Sequence, residues 1–391
     1  MPSHRIDVLM TTYNGAQFLP QTLNSILNQT FKDFRLIIVD DGSTDNSPEI
    51  LSDFCKKDSR IQVVRQENRG IVPALCNGLT LCEAPFLARH DADDISDPTR
   101  FERELAYLET HPDCVALSAQ ARYIDADSAD LGVVTAVKDL NLACDDSLPA
   151  HEPYLLQPLL MARSEAVRSV GGYRHLTVSE DSDLCWRLQE IGRLHILPEV
   201  LGSYRRHANS ITTTSVMRGR QIAIWSQLAA LSAQRRRHGK PDITFSEDLM
   251  QKLNAESTLE GMMKVALPVC MTEERSWFSM AVCAKLLEVC YYRPYEPDRS
   301  DIIFIKKTIN ANKELYNSGK GDFLKRAMHA ASSRLLIEGR IGDALSLTEW
   351  QRWPSLVPRT ILRVVLSEET RVRIRRFLAR SKKSNTNSGG L

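Results

Sequence analysis

Leu87-Ala-Arg-His-Asp-Ala-Asp-Asp-Ile-Ser-Asp-Pro-Thr-Arg100 sets Asp91, Asp93, Asp94 and Asp97 within seven residues, just after an apolar run. Four carboxylates that close repel one another, and beside a low-dielectric core they raise one another's pKa unless a cation sits among them. Their hard oxygens suit Mg2+ or Mn2+. The run Ala84 to Arg89 is short and ends at the acids, so it reads as a buried strand. It delivers Asp91 and Asp93 to its carboxyl end, the edge where open α/β sheets bind ligands. A plainer reading is a helix N-terminus, with Asp97 capping a helix that begins at Pro98. Capping accounts for Asp97 and leaves three acids, so Asp91 and Asp93 are assigned to a divalent cation.

Working outward, the chain before this stretch alternates strand and helix. Ile6 to Met10 is a compact strand, Thr11-Thr-Tyr-Asn-Gly15 a turn, and from Ala16 the apolar residues Phe18, Leu19, Leu23, Ile26 and Leu27 fall at helical spacing. Phe34 to Val39 is apolar and β-branched, as in a strand buried on both faces of a parallel sheet. It stops at Asp40-Asp-Gly-Ser-Thr-Asp45, where glycine permits close backbone approach and a carboxylate can accept from ring or ribose donors of a nucleotide. The same tetrapeptide is also a common turn. Ser47 to Lys57 reads as a helix, Ile61 to Val64 as a strand and Pro73 to Cys82 as a helix. This spacing predicts an α/β fold with a mostly parallel, Rossmann-like sheet flanked by helices.

Beyond the acids, Asp113 to Ala121 reads as a strand, Tyr123 to Val137 as an irregular or hairpin stretch, and Leu140 to Pro158 as loop. A short strand, Leu159 to Ala162, leads to a short helix capped by Ser164 and broken at Gly171-Gly-Tyr173. Ser179-Glu-Asp-Ser-Asp183 opens a helix that Gly192 closes. Simple capping is the first reading for Glu180, Asp181 and Asp183, and for Asp183 the preferred one. A single histidine such as His207 is ordinarily packed or solvated.

Composition bounds the alternatives. The chain has 391 residues, 43% hydrophobic and 25% charged, with a net charge of +1, which gives room for two domains and no global pull toward nucleic acid. Its nine cysteines are scattered without metal-ligand spacing, which fits a reducing compartment and speaks against zinc. The first residues do not read as a signal peptide, and no apolar run reaches the ~18 residues of a membrane span. The expectation is a cytoplasmic protein, with a peripheral seat on the inner face of the plasma membrane as an option.

With these residues in view, the stretch from residue 5 to about residue 210 resembles a family 2, inverting glycosyltransferase of the GT-A fold. The matching pieces are Thr11-Thr-Tyr-Asn14, Val39-Asp-Asp-Gly-Ser-Thr-Asp45, Asn68-Arg-Gly70 with Asn77, Asp91-Ala-Asp-Asp94, Gly171-Gly-Tyr173, Glu180-Asp181 and Tyr204-Arg-Arg-His207. The resemblance implies that Thr11, Tyr13 and Asp41 hold the base and ribose of a nucleotide-diphosphate sugar, with Asn77, Asp91 and Asp94 also on the donor. It implies that Asp93, with Asp91 and His207, binds Mn2+ or Mg2+ at the diphosphate, and that Asp181 is the catalytic base with Glu180 supporting it. Two departures stand out: Thr11 replaces the usual proline, and Cys185-Trp186 displaces the tryptophan of the last helix.

From about Ser215 the composition turns to Ala, Leu, Met, Arg and Lys at helical spacing. Helices are expected at Gln221 to Gln234, Phe245 to Val265, Trp277 to Tyr291, Ile302 to Leu315, Phe323 to Glu338 and Ile341 to Trp350. Arg359 to Lys383 carries nine basic residues among apolar ones, as a membrane-surface helix or a solvated terminal helix would. The division expected is a glycosyltransferase domain at 1–214, a helical accessory region at 215–352, and a basic amphipathic helix with a disordered tail at 353–391. The function expected is metal-dependent, inverting transfer of a sugar, from a UDP-sugar by preference, to a glycan or lipid-linked acceptor in surface polysaccharide or glycolipid synthesis. The competing readings are a sugar nucleotidyltransferase, for which a glycine-rich, basic triphosphate loop is missing, and a non-catalytic scaffold that binds nucleotide sugar or glycan.

Overall fold

The computed structural model describes residues 4–137, 139–207, 215–293 and 295–348, together with 353, 354, 356 and 360. Apart from residue 360, the basic stretch 359–383 lies outside them, as does the expected tail.

Nine strands form one mixed sheet among the described residues: β1 (Ile6–Thr12), β2 (Phe34–Asp40), β3 (Ile61–Arg65), β4 (Phe86–Asp91), β5 (Ile95–Ser96), β6 (Cys114–Ile124), β7 (Asp130–Val134), β8 (Met161–Arg163) and β9 (Arg193–Arg205). Their order is β3-β2-β1-β4-β8-β6-β9-β5, with β7 on β6. The first four are parallel, β8 runs against both β4 and β6, and β9 is parallel to β6. The period-2 alternation of side chains explains the two cores. Val8, Met10, Leu36 and Ile38 pack on one face, while Leu9, Ile37 and Val39 pack on the other. Each such side chain, taken out of water, stabilises the fold by about 1.5–3 kcal/mol. The first face carries α1 (Leu19–Leu27), α2 (Ser47–Lys57) and α4 (Arg100–Thr110); the second carries α3 (Ile71–Thr80), α5 (Ser164–Ser169) and α6 (Glu180–Gln189).

The remainder is helical: α7 (Val216–Arg237), α8 (Glu247–Ala255), α9 (Leu259–Ala266), α10 (Arg275–Tyr292), α11 (Arg299–Ala311), α12 (Lys313–Asn317), α13 (Asp322–Ile337) and α14 (Ile341–Leu347). Helix α7 is buried around most of its circumference, and Trp186 of α6 enters the same core as Trp225, Leu228 and Phe278. The displaced tryptophan of α6 therefore packs toward the helical region, and Cys185 takes the face toward the sheet. The single helix expected over 245–265 is two, because Thr258 starts a new N-terminus, its Oγ1 accepting from the Gly261 N–H at 3.0 Å. The stretch expected as one helix over 302–315 likewise breaks, at Asn312.

Two local expectations shift. Helix α4 begins at Arg100, not Pro98, and Asp97 accepts from the Thr99 N–H and hydroxyl at 3.0 and 2.8 Å. Ser164 is the first residue of α5 and not its cap. In β9 the pairing with β6 is interrupted by a bulge. Between Ala119↔Leu197 and Ala121↔Gly202, β6 advances two residues while β9 advances five. Pro198 suits this place, since it has no N–H to give a ladder, and the Gln120 amide donates to its carbonyl at 3.0 Å.

Candidate active site

Register places the chemistry along one edge. Thr11 stands between Val39 and Asp91, and Thr12 beside Asp40, so three strand ends finish abreast. After β2, Asp40 accepts from the Ser43 N–H at 3.0 Å. Asp41 is buried, and its carboxylate accepts from Gln66 Nε2 (2.8 Å) and from the backbone N–H groups of Arg69 (3.0 Å) and Gly70 (2.8 Å). Asn77 donates to Gln66 Oε1 at 2.8 Å. Asp41 and Asn77 are thus linked through Gln66, a residue the sequence reading passed over, and together they hold the 66–70 loop against the strand edge. Gly42 has φ +77°, and a Cβ there would lie 2.8 Å from the Asn68 nitrogen, so only glycine fits. Tyr13 is 51% exposed, at the lip of a loop laced to 43–47 by hydrogen bonds from Asn14, Gly15 and Ala16.

The turn after β4 is held from below by Thr22 of α1, whose hydroxyl donates to the Ala92 and Asp94 carbonyls at 3.1 and 2.9 Å. Its three acids have separate partners. Asp91 pairs with the buried Arg89 at 2.6 Å, and Asp93 Oδ2 lies 2.9 Å from His207 Nε2. Asp94 Oδ1 accepts from the Arg205 N–H at 2.7 Å. Arg205, 1% exposed, also donates to the Asp93 carbonyl at 2.7 Å and lies over Phe18, against which His207 also packs. Burial, then the charge of Asp91, pushes the Asp93 carboxyl up, with His207 opposing; burial, Asp93 and Asp91 push Asp94 well up.

Helix α6 brings its own acids to this edge. Ser179, a non-glycine residue at φ +64°, turns the chain sharply into the helix. Asp183 does not cap. It is fully buried, pairs with Arg187 at 2.5 Å and faces Arg174 at 3.6 Å. Arg187 also donates to the Val170 and Gly172 carbonyls, which ties the Gly171-Gly172-Tyr173 turn to α6. Glu180 and Asp181 are half-buried. Burial, then the neighbouring Asp181, raises Glu180 to about 8, while burial raises Asp181 to about 6 against the hydrogen bond from the Ser182 N–H. Asp91 adds to both shifts, so the strand acids and the helix acids share one electrostatic field.

Among the described residues no group of three or more His, Cys, Asp or Glu side chains forms a ready cage for a metal ion. The donor set nonetheless fits Mg2+ or Mn2+, which bind through one or two carboxylates together with substrate phosphates and water. The fit rests on an observation here: Asp91 raises the cost of ionising Asp93, both raise that of ionising Asp94, and Asp94 keeps one buried oxygen without a hydrogen-bond donor among the described residues. Besides Gln66, two further residues that the sequence motifs do not mark belong to the edge. Arg89 faces both Asp91 and Glu180, and its signal was a cation inside an apolar strand. Glu152 accepts the Ser182 hydroxyl at 2.7 Å, and nothing in its sequence surroundings marked it.

Residues 7–170 match the model of glycosyl transferase family 2. The chain carries a family 2 glycosyltransferase domain. A glycosyltransferase of Haemophilus influenzae described as uncharacterized is 28% identical over 220 residues, which cover 53% of this chain and 67% of that protein. The putative glycosyltransferase EpsE of Bacillus subtilis is 29% identical over 217 residues, 54% of this chain and 76% of that protein. Among solved structures, S. aureus TarS 1–349 in complex with UDP-GlcNAc has a TM-score of 0.49 at 17% identity, over 81% of this chain and 92% of that one. The family match takes in the strand acids of the glycosyltransferase domain and ends before α6, so Glu180 and Asp181 are argued from geometry.

Proposed function

We propose that the chain is a metal-dependent, inverting glycosyltransferase that moves a sugar from a nucleotide-diphosphate sugar to an acceptor hydroxyl. The observation that supports this reading is that the charge of Asp91 acts on both Glu180 and Asp181, so a cation-demanding cluster and a carboxylate of raised pKa share one electrostatic field. At pH 7 Asp181, at about 6, is ionised, whereas Glu180, at about 8, keeps its proton. An ionised Asp181 takes the proton of the acceptor hydroxyl. The acceptor oxygen bonds to the anomeric carbon as the bond to the diphosphate oxygen breaks on the opposite face, and its electron pair leaves with the diphosphate. One displacement inverts the centre, and no sugar–enzyme bond is formed. Asp93, with Asp91 and His207, would hold Mg2+ or Mn2+, which when bound would supply positive charge opposite the departing diphosphate.

Thr11 and Tyr13, with the loop held by Asp41 and Asn77, form the side on which the nucleotide is read, and Asp94 shapes the turn that carries Asp93. A UDP-sugar is the favoured donor and a glycan or lipid-linked hydroxyl the acceptor, in surface polysaccharide or glycolipid synthesis. Residues 1–214 form the transferase half in this reading and 215–352 an accessory half.

The test is a thermal-shift panel of UDP-, GDP- and dTDP-sugars, with a CMP-sugar as a single-phosphate contrast, each with Mn2+ or EDTA. A ligand that binds only the folded chain raises its stability, by about 2.7 kcal/mol at a hundredfold excess over Kd. A shift for one diphosphate class that needs Mn2+ and vanishes in Asp93→Ala is the expected result. Equal shifts in EDTA, or in Asp93→Ala, would remove the metal from the reading.

A further inference from the structure

A polar chain runs from the helical region into α6, and the chemistry just described leaves it unused. Lys285 lies on α10 with its ammonium between two carboxylates, 2.6 Å from Glu152 Oε1 and 3.1 Å from Glu288 Oε2, and its side chain is 13% exposed. Glu152 belongs to the segment between Pro149 and Pro158, and its second oxygen accepts the Ser182 hydroxyl at 2.7 Å. Ser182 in turn gives its backbone N–H to Asp181 Oδ1 at 2.7 Å. Lysine is rarely buried, because its ammonium gives up water and its long stem gives up rotamers. The two carboxylates compensate this one and hold its pKa above the ordinary value.

We propose that Lys285 is a positioning residue for Asp181: it clamps Glu152, Glu152 fixes Ser182, and Ser182 holds the Asp181 carboxylate in one orientation. The inference rests on the reading of Asp181 as the base, and it gives the helical region a part in that chemistry. It has an electrostatic side as well. The groups facing Asp181 are Glu180 and Cys185 on its own helix, Glu152 and Tyr154 on the preceding loop, Asp91 at the end of β4, and Tyr173. Arg89 and Arg218 face Glu180. Glu152 is a carboxylate that makes Asp181 harder to ionise, and Lys285 offsets its charge at 2.6 Å.

The experiment follows the Asp181 carboxyl carbon through a pH titration of full-length protein labelled with 13C at the aspartate carboxyls, the signal being assigned by its loss in Asp181→Asn. In Lys285→Met the midpoint is expected to rise by about one pH unit, and in Lys285→Arg to stay within about 0.3 of wild type. Release of nucleoside diphosphate from UDP-GlcNAc and GDP-mannose with Mn2+ is read in parallel. Lys285→Met should lose about 10- to 100-fold in kcat with donor KM changed less than about twofold, as expected for lost orientation. A folded Lys285→Met with the wild-type midpoint overturns the proposal. Where Lys285→Met fails to fold, Ser182→Ala, which removes only a neutral hydroxyl, decides, and an unchanged midpoint with unchanged kcat overturns the clamp. Full turnover in Asp181→Asn would instead sink the base assignment, and the titration would still report whether Lys285 governs Asp181.

Discussion

The acids after β4 and the acids that open α6 are alike in number, and burial raises Asp93 and Asp94 as it raises Glu180 and Asp181, yet the fold partners the two groups differently. After β4 each carboxylate has a partner of its own: Arg89 for Asp91, His207 for Asp93 and the Arg205 backbone for Asp94. At α6 a single acid, Asp183, takes the strong pairing with Arg187, and its neighbours Glu180 and Asp181 hold protons more tightly. A carboxylate cluster can be made tolerable by countercharge or by protonation, and the choice decides what it can do. Paired acids are ready to exchange a partner for a cation. Acids with raised pKa are ready to take a proton near neutrality.

That contrast can be broken experimentally. Its largest expected effect is on rate: Asp181→Asn should lower turnover by about 10^2- to 10^4-fold while the donor-induced thermal shift persists. Because the substitution removes a repelling charge, its unfolding midpoint in urea should equal or exceed that of wild type. Arg187→Met should do the reverse, destabilising the fold by about 3–5 kcal/mol in urea titrations by leaving Asp183 buried beside an incomplete partner. If instead Arg187→Met left stability unchanged, the division between structural and chemical acids on α6 would fail.

A smaller effect is set by pH. Asp181 must be ionised to accept a proton, so kcat/KM should fall about tenfold between pH 7 and pH 5, with a midpoint at about 6. Stability runs the other way. A carboxyl raised from 3.8 to about 6 favours the folded chain at low pH, and that contribution fades as pH rises through about 6. A stability curve measured on wild type and Asp181→Asn should therefore converge in acid and part above it. The smallest effect is expected from Asn77→Ala, which deprives Gln66 of one hydrogen bond and should cost about 1 kcal/mol, read as a lower urea midpoint and a weaker donor shift.

Much of the sheet half was legible because its signals are local. Apolar runs ending in acids gave β2 and β4 and the edge on which Asp41, Asp91 and Asp93 stand, and the strand–helix rhythm gave the parallel half of the sheet. Asp183 shows the limit. Its place at a helix start suggested capping, and its actual partner, Arg187, lies one turn further along the same helix with Arg174 across from it. Capping and pairing give the same residue pattern, and only burial separates them. Lys285, Glu152 and Gln66 were not legible at all, since each matters through a contact with a residue distant in the chain, and their own surroundings read as ordinary helix or loop. The helix boundaries missed by the periodicity, at Thr258 and Asn312, mark points where a side-chain cap or a turn interrupts an apolar pattern that itself runs on.

The bulge in β9 has one more consequence. Because β9 spends three residues more than β6 in crossing it, the strand emerges with its in-and-out parity reversed, and that parity brings Arg205 and His207, two apart, to the acids while Arg206 is exposed. Shortening the bulge by one residue would bring Arg206 to the place opposite Ile124 that Arg205 now holds. A guanidinium would still meet the acids, and the imidazole would be carried past Asp93. The tandem arginines make one half of the clamp indifferent to slippage, so the exact length of a turn far from the edge is written into the histidine alone.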